Sequence, residues 1–505
     1  MSNATRFSGI RKETKSVVET LDIRGLASNT LWMLASQIIA KVSSLLLFVV
    51  LARSVSNVAF GNFFFALSFA PLFFVFLSVG LNSAMVREIA RDRQRLAVLF
   101  ASAFVIRVVI GVLALLCTFL GALFFVRGSQ AYVTLAIIGL AVCADDLSSQ
   151  FVSAFRAVER LQYPALVEAI NRLLSTALIL AVIAVSPRLA LISGAYLSGS
   201  LGALAFSYVI VRRRFPLVRL WNANRLVVRS LFFGALPIGV AGVLNMGVFR
   251  IDAVMLQAFR GPREVAAYGA AYVIFESIVA LSWSLCAVTL PRVARVRTPS
   301  EAARVVELTG AVVLAIFLPI AVTGWFSAEG IVSRIFSERY GKAGAALAVL
   351  VVAALFYALA FTARTACVAI GRRREIAIVA ALALLVNVGT NAVAIPRFGL
   401  MGAAWTMLGT EVIEASVLIG LFAWSNGSLR MRRELLVPFL ATAVLLAVLA
   451  GFAIRGPTAI AVTLLLYPAA LAISTRVIGR GQIRFLLAVV RQPATDPLLP
   501  PIEAP

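Results

Sequence analysis

Twelve ionisable side chains stand in the middle of long apolar runs of this chain: the cations Lys41, Arg107, Arg172, Arg250 and Arg364, and the acids Asp145, Asp146, Glu168, Asp252, Glu276, Glu411 and Glu414. A charge held at the centre of a bilayer costs at least about 2.5–3.5 kcal/mol. Side chains in such places face protein or a water-filled cavity, and a functional role is the default expectation. The chemistry open to them is binding and charge compensation. The chain has no histidine, which removes the commonest metal ligand and the commonest general base at neutral pH. Cys117, Cys143, Cys286 and Cys367 lie inside apolar runs without metal-ligand spacing and read as buried inert thiols. No catalytic residue, metal site or cofactor is expected.

Lys41 and Arg250 form the leading pair. Thr30, Gln37, Lys41 and Ser44 share one helical face of the first apolar run. Lys41 stands twenty residues before Gly61 of the pair Phe60-Gly61, and Arg250 nineteen before Gly269 of Tyr268-Gly269. Cations at matched positions of two repeated halves would face each other across a cavity. A diphosphate fits that arrangement, because it carries several negative charges and accepts the fork of arginine donors. The competing reading is salt bridging between helices. Arg107 and Arg364 are further candidates for the same anionic group. Arg364 shares a face with Tyr357 and Phe361, and its place near a run's end makes snorkelling a rival.

Tyr268, Tyr272 and Glu276 recur at a spacing of four, continued by Trp283. Aromatic faces so arranged can stack on sugar rings, and the carboxylate can bind hydroxyls or a coupling ion. A packed helix interface with one satisfied acid is the alternative. Arg250 and Asp252 are two apart and cannot share a helical face, so each needs its own partner. Glu168 and Arg172, at i and i+4 in the favourable order, are expected to pair with each other. Glu411 and Glu414 share a face and could carry protons or Na⁺, or serve as structural pairs. Pro237, with Gly234, Gly239 and Gly242 nearby, is a candidate hinge or a site of close packing.

The elements that must position these residues are transmembrane helices. Of 505 residues, 61% are hydrophobic and 13% charged, and the mean hydropathy is +0.98. That is too much apolar surface for one water-facing globule. Runs of bilayer-spanning length recur about fourteen times, the ninth ending near Phe326, with the longest odd-numbered loop at Ser327–Gly344. The net charge of +24 would point to nucleic acid in a soluble protein, but the arginines sit in short loops, where they read as topology signals and contacts for anionic lipid. The even-numbered loops and both ends hold 31 of the 46 Lys and Arg, the odd-numbered loops 10. By the positive-inside rule both termini are expected in the cytoplasm.

Two stretches repeat. Residues 51–91 and 256–295 each leave a span, reach an aromatic–glycine pair and run through an apolar helix to a basic exit, VREIAR and PRVAR. The offset is six spans, which preserves direction, so the repeat is parallel about an axis along the membrane normal. The expected fold is an all-α integral membrane protein of about fourteen transmembrane helices, with two six-helix lobes and two C-terminal helices. The expected boundaries are a cytoplasmic leader at 1–27, an N-lobe at 28–215, a linker at 216–230 and a C-lobe at 231–425. Two additional helices are expected at 434–476, before a cytoplasmic tail at 477–505 whose Pro-rich end reads as disordered.

Residues 250–272, RIDAVMLQAFRGPREVAAYGAAY, and residues 371–409, with Asn387, Asn391, Ile395, Pro396, Gly399, Gly402, Ala403 and Ala404, carry a family resemblance. They resemble the multidrug/oligosaccharidyl-lipid/polysaccharide exporter superfamily, specifically its polysaccharide-biosynthesis (Wzx-type) flippases. The resemblance implies two lobes around a central cavity and alternating access. It further implies flipping of an undecaprenyl-diphosphate-linked oligosaccharide across the bacterial cytoplasmic membrane. Membrane lipids, and a polymerase and glycosyltransferases of the same pathway, are the implied partners; nucleic acid is not. A peptidoglycan-precursor (lipid II) flippase is one rival. A drug or cation antiporter of the superfamily is another, and would favour an acidic aromatic cavity. From a different class, a membrane-embedded sugar polymerase or ligase would need catalytic groups in a sizeable odd-numbered loop.

Overall fold

The structure is a computed structural model that describes residues 23–158, 160–214, 222–295, 298–426 and 433–478. Most of the expected leader, all but the start of the tail, and Arg219, Arg297, Arg430 and Arg432 lie outside the described residues, as does the Cys286 side chain. Among the described residues all regular elements are helical. In chain order they are α1 (Ile23–Ser54), α2 (Asn57–Arg91), α3 (Leu96–Phe125), α4 (Ser129–Ala157), α5 (Gln162–Val185), α6 (Leu189–Arg214) and α7 (Arg225–Phe259). Then follow α8 (Pro262–Arg295), α9 (Pro299–Phe336), α10 (Lys342–Ala369), α11 (Arg373–Phe398), α12 (Leu400–Asn426), α13 (Arg433–Gly451) and α14 (Pro457–Ile478). Among the described residues thirteen are long and apolar enough to cross a membrane, and α13 adds a shorter apolar stretch, Leu435–Gly451.

The helices start where the sequence offers caps. The Ser56 side chain accepts a bond from Ala59 N at 3.2 Å, and Asn224 accepts one from Leu226 N at 2.8 Å. Thr298 and Glu301 form a reciprocal capping box ahead of Pro299 at the start of α9. The third helix leaves Val105, Val108, Val109, Val112 and Leu116 exposed along one side, the pattern of a surface meant for lipid.

The two halves pack in the same order. Helix α1 lies on α5, α5 on α6, α6 on α4, and α4 on α2; six helices on, α7 lies on α11, α11 on α12, α12 on α10, and α10 on α8. This is the two-lobe parallel repeat. The pair α13–α14 stands outside both lobes and packs on α9, where Thr323 and Thr463 share a 2.6 Å hydrogen bond.

The lobes meet through α2 with α7 and α8, α3 with α7, and α1 with α8. Near the face of the odd-numbered loops, Gly61 of α2 abuts Pro262 of α8 so closely that a Cβ would overlap the proline carbonyl, and Phe64 packs on Gly269. Toward the opposite face, α2 widens into a π-turn over Phe76–Leu81. That turn lies on α7 at Gly239 and Gly242, through Phe76, Val79 and Gly80. Helix α7 stays continuous through Pro237.

Two expectations change. The odd-numbered loop at Ser327–Gly344 is almost entirely helical: α9 runs on to Phe336, a 3-10 turn covers Glu338–Tyr340, and α10 begins at Lys342. Glu329 and Arg334 mark Ser327–Phe336 as loop in the sequence, but Ala328, Val332 and Phe336 are buried at helical spacing. The linker at 216–230 is shortened as well, since α7 begins at Arg225.

Candidate functional site

Lys41 stands thirteen residues before the end of α1, about 20 Å below the odd-loop face at 1.5 Å per residue. At that depth Glu276 reaches in from α8 and Arg250 from α7. A single carboxylate oxygen, Oε1 of Glu276, lies 3.4 Å from Lys41 Nζ and 3.3 Å from Arg250 Nη2. The first cation belongs to the N-lobe and the second to the C-lobe, so the carboxylate joins the lobes. The three side chains are partly exposed, at 32% for Lys41, 27% for Glu276 and 19% for Arg250.

Aromatic rings back both cations. Lys41 Nζ lies 5.4 Å from the Trp283 ring centroid and the Arg250 guanidinium 5.6 Å from that of Tyr272. Trp283 Nε1 donates to Tyr357 Oη at 2.9 Å, and Tyr357 stacks on Phe361 with centroids 5.7 Å apart. Of the three residues expected to touch sugar, Trp283 is exposed to 38% of its surface, whereas Tyr268 and Tyr272 are buried. Tyr272 Oη donates to the Phe249 carbonyl at 2.5 Å.

Arg250 and Asp252 each have their own partners. Tyr268 Oη donates to Asp252 Oδ2 at 2.9 Å, and Asn391 Nδ2 to Asp252 Oδ1 at 2.6 Å and to Asn387 Oδ1 at 2.9 Å. Asn387 Nδ2 in turn donates to Thr410 Oγ1 at 3.3 Å. The result is a buried polar chain across α8, α7, α11 and α12. Asn387 and Asn391 carried only a motif in the sequence; their i, i+4 spacing inside an apolar run is the signal that places both on one buried face. Nearby, Arg364 of α10 is paired with Glu414 of α12 and does not snorkel. Glu411 is buried on the same face, and its Oε2 makes no hydrogen bond among the described residues.

Arg107 sits apart from Lys41 and Arg250. It is 1% exposed inside the N-lobe, where Nη1 meets Asp146 Oδ1 at 2.7 Å and Ser149 Oγ at 3.0 Å. Nη2 donates to Asn82 Oδ1 at 2.8 Å and to the Leu77 carbonyl of the π-turn at 3.3 Å. A guanidinium so enclosed cannot reach a ligand between the lobes in this conformation. Its partners Asn82 and Ser149 carry no sequence signal of their own.

Arg172 turns toward Tyr196 Oη at 3.4 Å, while Asn171 donates to Asp145 Oδ1 at 2.7 Å. A pocket of about 30 Å³ beside Arg172, lined also by Ser44, Ser175, Thr176 and Tyr196, has room for about one water molecule. The structure therefore brings Lys41, Arg250, Glu276 and Trp283 together between the lobes. It gathers Asp252, Tyr268, Glu411, Glu414 and Arg364 within the C-lobe, and keeps Arg107, Glu168 and Arg172 on N-lobe helices.

The family model described as "Polysaccharide biosynthesis protein" matches residues 26–297, more than half of the chain. The chain belongs to this family. A second model, MatE, matches residues 237–393. Both place this polysaccharide biosynthesis protein in the multidrug/oligosaccharidyl-lipid/polysaccharide exporter superfamily. No curated protein matches the chain in sequence. Among solved structures, a lipid II flippase MurJ in an inward closed conformation is similar at a TM-score of 0.74 and 15% identity, covering 88% of this chain and 99% of that one. An inward-facing multidrug resistance MATE family transporter is similar at 0.58 and 16%, covering 77% and 95%. A superfamily transporter from Pyrococcus furiosus Vc1 is similar at 0.56 and 16%, covering 81% and 96%. At these identities the likeness establishes the fold, an all-α multi-pass membrane architecture.

Proposed function

We propose that the protein flips an undecaprenyl-diphosphate-linked oligosaccharide from the cytoplasmic to the outer leaflet, by alternating access of its two lobes. One observation carries this reading: Lys41 and Arg250, from opposite lobes and at mid-membrane depth, converge on a single anionic oxygen. A site that holds a carboxylate between two cations suits a phosphate-bearing headgroup and disfavours a cationic drug. The membership in a polysaccharide biosynthesis family supports the oligosaccharide as cargo. Trp283 offers an exposed aromatic face beside Lys41 for sugar. The arginine distribution supports a cytoplasmic even-loop face, and the exporter reading carries with it a bacterial cytoplasmic membrane. The carboxylates Asp252, Glu411 and Glu414 are the candidates for coupling transport to H⁺ or Na⁺. The chain acts as a transporter, not an enzyme, and works beside the glycosyltransferases and polymerase of its pathway.

The test is the double charge reversal Lys41→Glu with Arg250→Glu. Export of polysaccharide from cells should be lost while the protein still inserts at the wild-type level. Undiminished export would reject the headgroup role. Lipid II is a second reading, favoured by the fold likeness to a lipid II flippase over 88% of the chain. Rescue of growth in cells depleted of their own lipid II flippase separates the two cargoes.

A further inference from the structure

The ion pairs inside this protein are of two kinds. Arg107 and Asp146 meet at 2.7 Å with side chains 0% and 4% exposed, and the guanidinium makes further bonds to Ser149, Asn82 and Leu77. That is an enclosed pair, shut away from any ligand between the lobes. The Glu276 site is built differently. One oxygen serves both cations, at 3.4 and 3.3 Å, longer than the 2.7–2.9 Å of a well-formed charge-assisted bond. All three groups are partly exposed, and the Trp283 and Tyr272 rings would stay against Lys41 and Arg250 if the carboxylate left.

We propose that Glu276 is a resident counter-ion that occupies the headgroup position between Lys41 and Arg250, and that cargo must displace it. The inference rests on the reading of those two cations as the headgroup grip. Its consequence is selectivity. A tethered carboxylate competes at a high effective concentration. A lipid monophosphate offers one anionic group to set against it. A diphosphate offers two linked groups, so one can hold a cation while the other replaces the carboxylate. Glu276 thus discriminates diphosphate-linked from monophosphate-linked lipids. It also keeps two cations compensated at mid-membrane when no cargo is bound, where an unpaired charge is costly.

The test is calorimetric binding of farnesyl diphosphate and farnesyl monophosphate to the purified full chain in detergent. Wild type is expected to prefer the diphosphate by about tenfold or more, and Glu276→Gln to bind the monophosphate several-fold more tightly, so that the preference falls to about threefold or less. Glu276→Asp, which keeps the carboxylate, should retain most of the wild-type preference, and Glu276→Ser should behave like Glu276→Gln. A preference unchanged in both carboxylate-free variants overturns the counter-ion role. An equal loss of both affinities in them overturns it too, since that is the mark of a merely structural pair. Arg250→Gln separates the underlying reading: diphosphate binding as tight as wild type would remove the headgroup grip and the inference together. Weakened binding there, with an unchanged preference in Glu276→Gln, removes the inference alone.

Discussion

Gly80 of α2 packs on Gly239 of α7 so closely that a Cβ on Gly80 would stand 2.7 Å from the Gly239 α-carbon. The contact joins the two lobes at the π-turn, toward the even-loop face. Any cycle that opens this face must part these backbones, and any closing must bring them back without side chains between them.

Gly80→Val is therefore expected to prevent the seam from closing. Overpacking of this kind costs about 1–3 kcal/mol. Accessibility of a cysteine placed at Val79 to a thiol reagent, in a background lacking Cys117, Cys143, Cys286 and Cys367, should rise in the variant. Equal labelling with and without the valine would mean the seam yields elsewhere.

The odd-loop face is held by a reciprocal clasp. Arg53, at the end of α1, donates to the Ile335 carbonyl at 2.8 Å and to that of Arg334, at the end of α9. Arg339 returns the contact to the Ala52 carbonyl at the end of α1, joined by Tyr340 Oη at 3.3 Å. Each arginine satisfies carbonyls that a helix end leaves without partners. Replacing both Arg53 and Arg339 with alanine removes about 1 kcal/mol or more per clasp from the closed state. Labelling of a cysteine at position 41 by a membrane-impermeant reagent added from the odd-loop side should speed up. Labelling at the wild-type rate would show that Gly61 and Pro262 alone hold this face.

Arg107→Ala should unfold the N-lobe more than it impairs binding. Removing one partner of a buried ion pair typically costs about 3–5 kcal/mol, because the other charge is left uncompensated. Replacing Arg107 and Asp146 together with leucine should recover much of that loss. Thermal unfolding in detergent reads both. If the single variant melts like wild type yet no longer binds farnesyl diphosphate, Arg107 belongs with the headgroup cations after all.

Asp252→Asn keeps the shape of the C-lobe chain but cannot accept from both Tyr268 and Asn391. The mismatch should cost about 1–3 kcal/mol. If Asp252 carries the coupling cation, transport by the variant in liposomes should lose its response to an imposed Na⁺ or pH gradient. A preserved response to both gradients would leave Asp252 a structural residue.

The apolar runs, their alternating direction and the six-span repeat were all legible in the chain, because bilayer thickness imposes a length on every span and loop arginines respond to one membrane face. The mid-span charges were legible for the same reason: in an apolar run a charge is conspicuous. What the charges do was decided by contacts between helices far apart in sequence. Periodicity puts Lys41 and Arg250 on helical faces, but only packing of α1, α7 and α8 sets Glu276 between them. Arg107 looks like Arg250 in sequence, yet the fold encloses it among Asp146, Asn82 and Ser149. The segment after Phe326, with Glu329 and Arg334, reads as a loop until α10 gives its apolar stripe something to pack on. Hydropathy is a local property and fixes which residues must leave water. Which charge meets which is a matter of distance between helices, and that exists only once the lobes have packed.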